Sequence, residues 1–230
     1  MVGWAARDLV RNRALWVMLA LPTGVFWTVA RTGQSARGPW FLSSWLLFAE
    51  VMTGLMITSS HWLEEREQGT WSFLRTTPVP VGWMLAAQVL FVGVLTLFSQ
   101  MGVLGAQGRS VEPGGVLVLD MMAGGLLFAT LGVVIALASP SARSGSLVAA
   151  GVMVVLFLTA LIAPGLEREP GPAALVRWMP SVLMAHALAR GASGSLPAPP
   201  VTAGILGWGL LLVAISGALV RREYTRGTSL

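Results

Sequence analysis

Residues 40–63, WFLSSWLLFAEVMTGLMITSSHWL, lead directly into residues 64–78, EEREQGTWSFLRTTP. The first stretch is apolar and long enough for a helix to cross the ~30 Å hydrocarbon core of a bilayer. The second places five charged residues within twelve positions, in a chain where only 11% of residues are charged. We call residues 64–78 the charged segment. Its position at the end of an apolar run predicts that it lies outside the membrane.

Apolar runs of this kind recur along the 230 residues, of which 55% are hydrophobic. They predict an all-α membrane protein, a single domain spanning residues 1–230 with six transmembrane helices. The predicted spans are Ala14 to Ala30, Trp40 to Leu63, Val81 to Leu104, Val116 to Ala138, Ser146 to Gly165 and Val201 to Val220. Trp16 and Trp27 lie within the first run and no clear small-x-small site follows it, which favours a retained span over a cleaved signal peptide.

Two further helical pieces are too short to cross. Residues 1–13 place Arg7 and Arg11 on one face and apolar residues on another, which predicts an N-terminal helix lying in the membrane interface as an elbow. Within residues 166–200, Pro172 to Met179 and Pro180 to Arg190 each open with a helix-starting proline, and Gly191 is the expected C-terminal cap. These two short helices predict a re-entrant hairpin on the outer side of the membrane, joined to the last span by a linker.

The arginines orient the chain. Nine of the fifteen arginines lie on the same side of the predicted membrane as the two termini, and six lie on the opposite side. The positive-inside rule therefore places both termini and the charged segment in the cytoplasm, with the protein in the plasma or inner membrane. Scattered arginines also indicate anchoring at membrane lipids and not a patch for nucleic acid.

Two residue types are missing. All fifteen basic residues are arginine, so the chain lacks the lysine with which a P-loop holds nucleotide phosphates. If ATP drives this protein, another chain binds it. Cysteine is also absent, which excludes disulfides and thiolate chemistry. We expect no cofactor, metal ion or catalytic residue in this chain.

The charged segment has an ordered local pattern. Gly69 can end the preceding helix, and Thr70 can cap a short new one that carries Trp71 and Leu74 on one face. Thr77-Pro78 then suits the start of the third span. The pattern predicts a helix-break-helix elbow; the alternative is an ordinary solvated loop, which explains the charges but not this order.

This chain resembles the membrane subunits of type-2 ABC exporters, which move drugs, lipids or polysaccharides. Members carry an E-R-x-x-G-T-like element and then a T-P pair between spans two and three, and here Glu65 to Thr70 and Thr77-Pro78 fit that pattern. In the family this element is the coupling helix that docks into the ATPase. The resemblance implies that the residues coupling this chain to an ATPase are Glu64, Glu65, Arg66, Glu67, Gly69, Thr70, Trp71, Phe73 and Leu74.

The resemblance also implies the partners. The chain would be half of a transporter, paired with a second six-span subunit as a homodimer or a heterodimer, and each half would sit on a cytosolic ABC ATPase that holds ATP and Mg²⁺. A related six-span protein, the haem-exporter permease of cytochrome c maturation, is the alternative within this class. The predicted outer hairpin favours the drug and polysaccharide branch.

Glu50 lies near the middle of the second span, where an ionised carboxylate costs several kcal/mol. Small and polar residues share its helix face, and Thr96 and Gln100 form a weaker polar stripe on the third span. One interpretation is a packing seam in which Glu50 is protonated or hydrogen-bonded; the other is a transport cavity. The candidate cavity residues are Glu50, Thr53, Thr58, His61, Thr96 and Gln100.

Other function classes have weaker support. Glu64-Glu65 is similar to the paired glutamates of intramembrane CAAX-type proteases, but Gly69 stands where those enzymes need arginine. No other catalytic constellation is present in the sequence. A secondary transporter or channel subunit remains an alternative, although such proteins generally place several ionisable residues at the midplane.

Overall fold

A computed structural model describes residues 13–32, 39–69, 80–107, 114–166 and 172–226. Within these ranges every regular element is a helix. Five of the helices are long and apolar enough to cross a membrane, and a shorter apolar helix, Leu15–Arg31, precedes them. The chain is therefore a multi-span membrane protein, and its described part is all-helical.

Helix α2 is continuous but has three parts. It begins as an α-helix at Pro39–Ala49, becomes a π-helix at Glu50–Ile57 and returns to an α-helix at Thr58–Glu67. The other helices are α1 (Arg13–Thr32), α3 (Val81–Ala106), α4 (Gly115–Ala138), α5 (Ala142–Leu166), α6 (Pro172–Arg177), α7 (Pro180–Ala192) and α8 (Pro199–Arg226).

The helices agree with the apolar runs of the sequence to within a few residues at most ends. The predicted interfacial elbow falls mainly on residues 1–12, outside the described residues. One predicted detail is wrong: Gly191 does not cap α7. That helix continues to Ala192, and Gly194 adopts the left-handed conformation after it, with φ of 74°. Gly191 is instead needed for close packing, because an added Cβ would lie 2.8 Å from Asp120 Oδ2 of α4.

Helix α4 lies at the centre of the bundle. It packs against the second and third parts of α2 and against α3, α7 and α8. Glycine permits such close approaches: a Cβ on Gly132 would come within 2.7 Å of the Leu55 carbonyl oxygen of α2. Small residues allow such contacts between membrane helices, where dispersion replaces the hydrophobic effect as the main attraction. The polar residues described below lie in this central contact.

Helices α5 and α8 lie at the periphery. Only 22% of the apolar window of α5 and 6% of that of α8 is buried. Leu147 and Leu158 on α5, like Leu206 and Leu210 on α8, expose large apolar side chains. In a membrane protein these faces contact lipid or another subunit.

The short helix α7 is buried for most of its length. Its side chains from Pro180 to Ala185 are nearly inaccessible, and it packs among α2, α4, α5 and α8. His186 stacks edge-on against Trp40 with ring centroids 5.0 Å apart, and Ser181 shares a hydrogen bond of 3.2 Å with Thr159. Helix α7 thus fills the bundle at the end opposite the charged segment.

Candidate functional site

A carboxylate and an amide meet at the centre of the bundle. Gln100 Nε2 of α3 donates a hydrogen bond of 2.7 Å to Glu50 Oε1 of α2. Both side chains have 0% exposure. The sequence interpretation of Glu50 as a hydrogen-bonded group within a helix contact therefore matches the structure, and its partner is the polar residue predicted on the third span.

Each of these two side chains keeps one buried oxygen without a hydrogen-bond partner in the described part of the chain. These atoms are Glu50 Oε2 and Gln100 Oε1, and the Thr53 hydroxyl is in the same condition. Buried polar atoms are normally paired, because an unpaired one loses its hydration without compensation. Glu50 Oε2 and Gln100 Oε1 could therefore each accept a further hydrogen bond in the core of the membrane protein.

Glu50 also begins the π-helical part of α2, Glu50–Ile57. A π-helix is rare, and where one interrupts an α-helix it frequently marks a functional site. In this protein it covers the contact with α4: Gly54 lies within it, and an added Cβ would be 3.2 Å from the Gly125 carbonyl oxygen. The irregular part of α2 and its buried carboxylate therefore coincide.

Gly124 of α4 makes room for the carboxylate. A Cβ added at Gly124 would overlap the carboxyl atoms of Glu50. The neighbouring Gly125 faces α3, where a Cβ would lie 3.2 Å from Thr96 Cβ. Two successive glycines thus let α4 approach α2 and α3 at the level of the Glu50–Gln100 pair.

The other predicted cavity residues divide into two groups. Thr53, Thr58 and Thr96 are buried, and Thr96 donates its hydroxyl to the Val92 carbonyl oxygen of its own helix at 2.8 Å. His61 is different: its side chain is 47% exposed and lies 3.9 Å from Glu65, one turn further along α2. The structure thus brings Glu50 and Gln100 into contact and keeps His61 apart from them.

The charged segment begins as the end of α2. This helix ends at Glu67, and Gly69 follows with a φ of 71°, the left-handed conformation that glycine adopts most easily. The Gln68 and Gly69 amides donate to the carbonyl oxygens of Glu64 and Arg66, which closes the last turn. The helix break predicted at Gly69 is confirmed. Thr70, Trp71, Phe73, Leu74 and Thr77-Pro78 lie outside the described residues.

Arg66 and Glu67 contact the turn between α4 and α5. Arg66 Nη1 donates to the carbonyl oxygens of Ser139, at 2.5 Å, and Ala136, at 3.3 Å, at the C-terminal end of α4. Glu67 Oε1 accepts from the Ala142 amide, the first residue of α5, at 3.2 Å. Cations stabilise helix C-termini and anions stabilise helix N-termini, so each charge faces the helix end that suits it.

The remaining acidic residues of this end face outward. Glu64 is exposed, and Glu65 is partly exposed beside His61. Four residues predicted to dock a partner thus have two different environments. Glu64 is exposed and Glu65 partly exposed, whereas Arg66 and Glu67 are hydrogen-bonded to the α4–α5 turn, although the Glu67 side chain also remains exposed.

Sequence reasoning missed three participants. Gly124 was not assigned to the Glu50 site, and Ser139 and Ala142 were not connected to the charged segment. The Gly124-Gly125 pair was a visible signal, since adjacent glycines within an apolar span indicate close helix approach. Among the described residues, no group of three or more His, Cys, Asp or Glu side chains is placed to hold a metal ion.

No protein-family profile matches this chain, and no curated protein is significantly similar to it in sequence. Its function is therefore argued from its own residues.

Proposed function

We propose that this chain is the membrane subunit of a type-2 ABC exporter, coupling ATP hydrolysis in a separate ATPase to the efflux of a hydrophobic or amphipathic substrate. The observation that carries the proposal is the end of α2. A long apolar helix leaves the membrane as Glu64 to Glu67, turns at Gly69 and contacts the α4–α5 turn. A force applied to this end would reach three membrane helices.

The proposed arrangement has six spans, α1 to α5 and α8, with both termini and the charged segment in the cytoplasm of a plasma or inner membrane. Residues 1–13 form the interfacial elbow, and residues 166–200 form the outer hairpin and linker. The buried helix α7 supports a re-entrant element of this kind. The 17 residues of Leu15–Arg31 agree with the lower limit for a spanning helix, roughly 17 residues.

Partners follow from the same proposal. An ABC ATPase with ATP and Mg²⁺ docks on the exposed Glu64, on the partly exposed Glu65 and on the segment that carries Trp71, Phe73 and Leu74. A second six-span subunit, identical or homologous, and membrane lipids cover the apolar faces of α5 and α8. The chain itself is not an enzyme. Small and polar residues at α2 and α3, including Thr53 and Thr96, serve the translocation path.

The test is purification of the tagged chain from its native membrane in mild detergent. We expect an ABC ATPase in a one-to-one ratio with the chain, and ATP-dependent transport after reconstitution of the complex. A chain that purifies without any ATPase and transports its substrate in response to an ion gradient alone would contradict the proposal and favour a secondary transporter. A co-purifying haem-handling protein would point to the haem-exporter alternative.

A further inference from the structure

Arg66 and Glu67 form a charged clamp on the α4–α5 turn. Arg66 binds two carbonyl oxygens at the end of α4, and Glu67 binds the first amide of α5. We propose that this clamp transmits movement of the cytoplasmic segment to α4 and α5, and that Arg66 and Glu67 are positioning residues and not docking residues. The inference rests on the proposed exporter function.

The residues of α2 that precede the clamp are buried against α4 and α5. Trp62 and Leu63 precede it on α2 and are only 5% and 2% exposed. They pack with Val133 and Ala136 of α4, and a Cβ on Gly145 of α5 would lie 2.6 Å from Leu63 Cδ1. Apolar side chains of α2 therefore already contact the ends of α4 and α5. The hydrogen bonds of Arg66 and Glu67 fix the orientation of that contact.

The clamped turn is itself well ordered by local hydrogen bonds. Ser141 and Ser144 exchange side-chain and main-chain hydrogen bonds at 3.3 Å at the start of α5, and the Ser139 hydroxyl donates to the Ile135 carbonyl oxygen at 2.7 Å. A turn held in this way moves as a unit. A shift of the end of α2 therefore displaces the ends of α4 and α5 together.

The first experiment needs no ATPase. The chain lacks cysteine, so Gln68→Cys and Ser146→Cys can carry spin labels at two exposed positions, on the end of α2 and on α5. In lipid nanodiscs we expect one narrow distance distribution, which broadens when Arg66→Gln and Glu67→Gln are combined. Arg143→Gln, which removes an exposed arginine from the first turn of α5 without changing the clamp, is the control and leaves the distribution narrow. An unchanged distribution in the double variant would overturn the inference.

The second experiment uses the complex. We expect Arg66→Gln to retain the ATPase and its hydrolysis but to lower transport per ATP by roughly tenfold, the change in an equilibrium expected from losing a hydrogen bond to a charged group. Arg66→Lys, which keeps a cationic donor, restores part of it.

The outcomes separate the inference from the proposed function. If the parent chain carries no ATPase, the exporter proposal fails and the transmission role falls with it. If the parent complex transports normally and Arg66→Gln does too, only the clamp inference is overturned. If Arg66→Gln releases the ATPase, Arg66 is a docking residue and the inference is equally overturned.

Discussion

Gln100 donates its hydrogen bond to Glu50 across the contact between α3 and α2, at a depth where neither side chain is exposed. The pair joins two helices whose other buried residues at this level are apolar or small and polar, such as Thr53 and Thr96. It also makes the two residues unequal. Replacing Gln100 with an apolar residue would leave the buried carboxyl group of Glu50 without its hydrogen-bond donor. Replacing Glu50 with glutamine would leave an amide oxygen that can still accept the hydrogen bond from Gln100.

The first prediction compares these two changes. Gln100→Leu removes the donor, so we expect a loss of about 2–3 kcal/mol in the free energy of unfolding. Glu50→Gln keeps the volume and an accepting oxygen, so we expect a change within about 1 kcal/mol. Thermal unfolding in nanodiscs measures both. Equal losses would contradict the asymmetry; if Glu50→Gln alters transport while its melting temperature holds, Glu50 serves the translocation path.

The second prediction concerns Gly124. A Cβ there overlaps the Glu50 carboxyl group, so Gly124→Ala should destabilise the protein by about 1–3 kcal/mol. Adding Glu50→Ala should make the double variant more stable than the two separate losses predict. Gly151→Ala on α5 is the matched control, because nothing lies within 4 Å of its Cβ position. Additive losses in the unfolding experiment would show that the two residues do not meet.

The helices could be predicted because each span is a long apolar run with charges, prolines or glycines at its ends. Gly69 could be predicted as a helix break from its place after five polar residues. Gly191 and Gly194 could not be distinguished in this way. Which glycine takes the left-handed conformation depends on the contact of Gly191 with Leu117 and Asp120 of α4, and that contact is tertiary.

Sequence reasoning named Gln100 only as part of a polar stripe on the third span, and it did not identify the partners of Arg66 and Glu67. Arg66 meets Ser139, and Glu50 meets Gln100, across separations of 73 and 50 residues. Charge alone indicated that Arg66 and Glu67 lie outside the membrane, but not that helix ends of the same chain engage them. The π-helix that begins at Glu50 could not be predicted either, since its residues have the composition of an ordinary apolar span.

The third prediction is that the purified chain, without partners, neither binds nor hydrolyses ATP. It has no lysine to pair with nucleotide phosphates and no P-loop. Calorimetric titration with Mg-ATP should give no binding signal, and the native complex serves as the positive control. Stoichiometric binding by the isolated chain would refute the division of labour between membrane subunit and ATPase.

The fourth prediction separates orientation from anchoring in the charged segment. Glu64 is exposed, so Glu64→Arg should weaken ATPase binding in a way that depends on ionic strength. Trp71→Ala removes an aromatic anchor, and its effect should depend little on salt because apolar burial dominates such contacts. Affinity is measured by co-purification across a salt series. Identical salt dependence in the two variants would contradict this separation.

The last prediction concerns the direction of the charged segment after α2. Gly69 has a φ of 71°, which an alanine adopts only with strain, so Gly69→Ala should cost about 1 kcal/mol locally and re-aim the following residues. Gly69→Asn should be milder, because asparagine tolerates the left-handed conformation. Gly105→Ala, at an open position within α3, is the control for adding a methyl group. We expect ATPase binding to fall in the order parent, Gly69→Asn, Gly69→Ala while α2 stays folded. If Gly69→Ala binds the ATPase as tightly as the parent chain, the turn at Gly69 does not aim the docking segment.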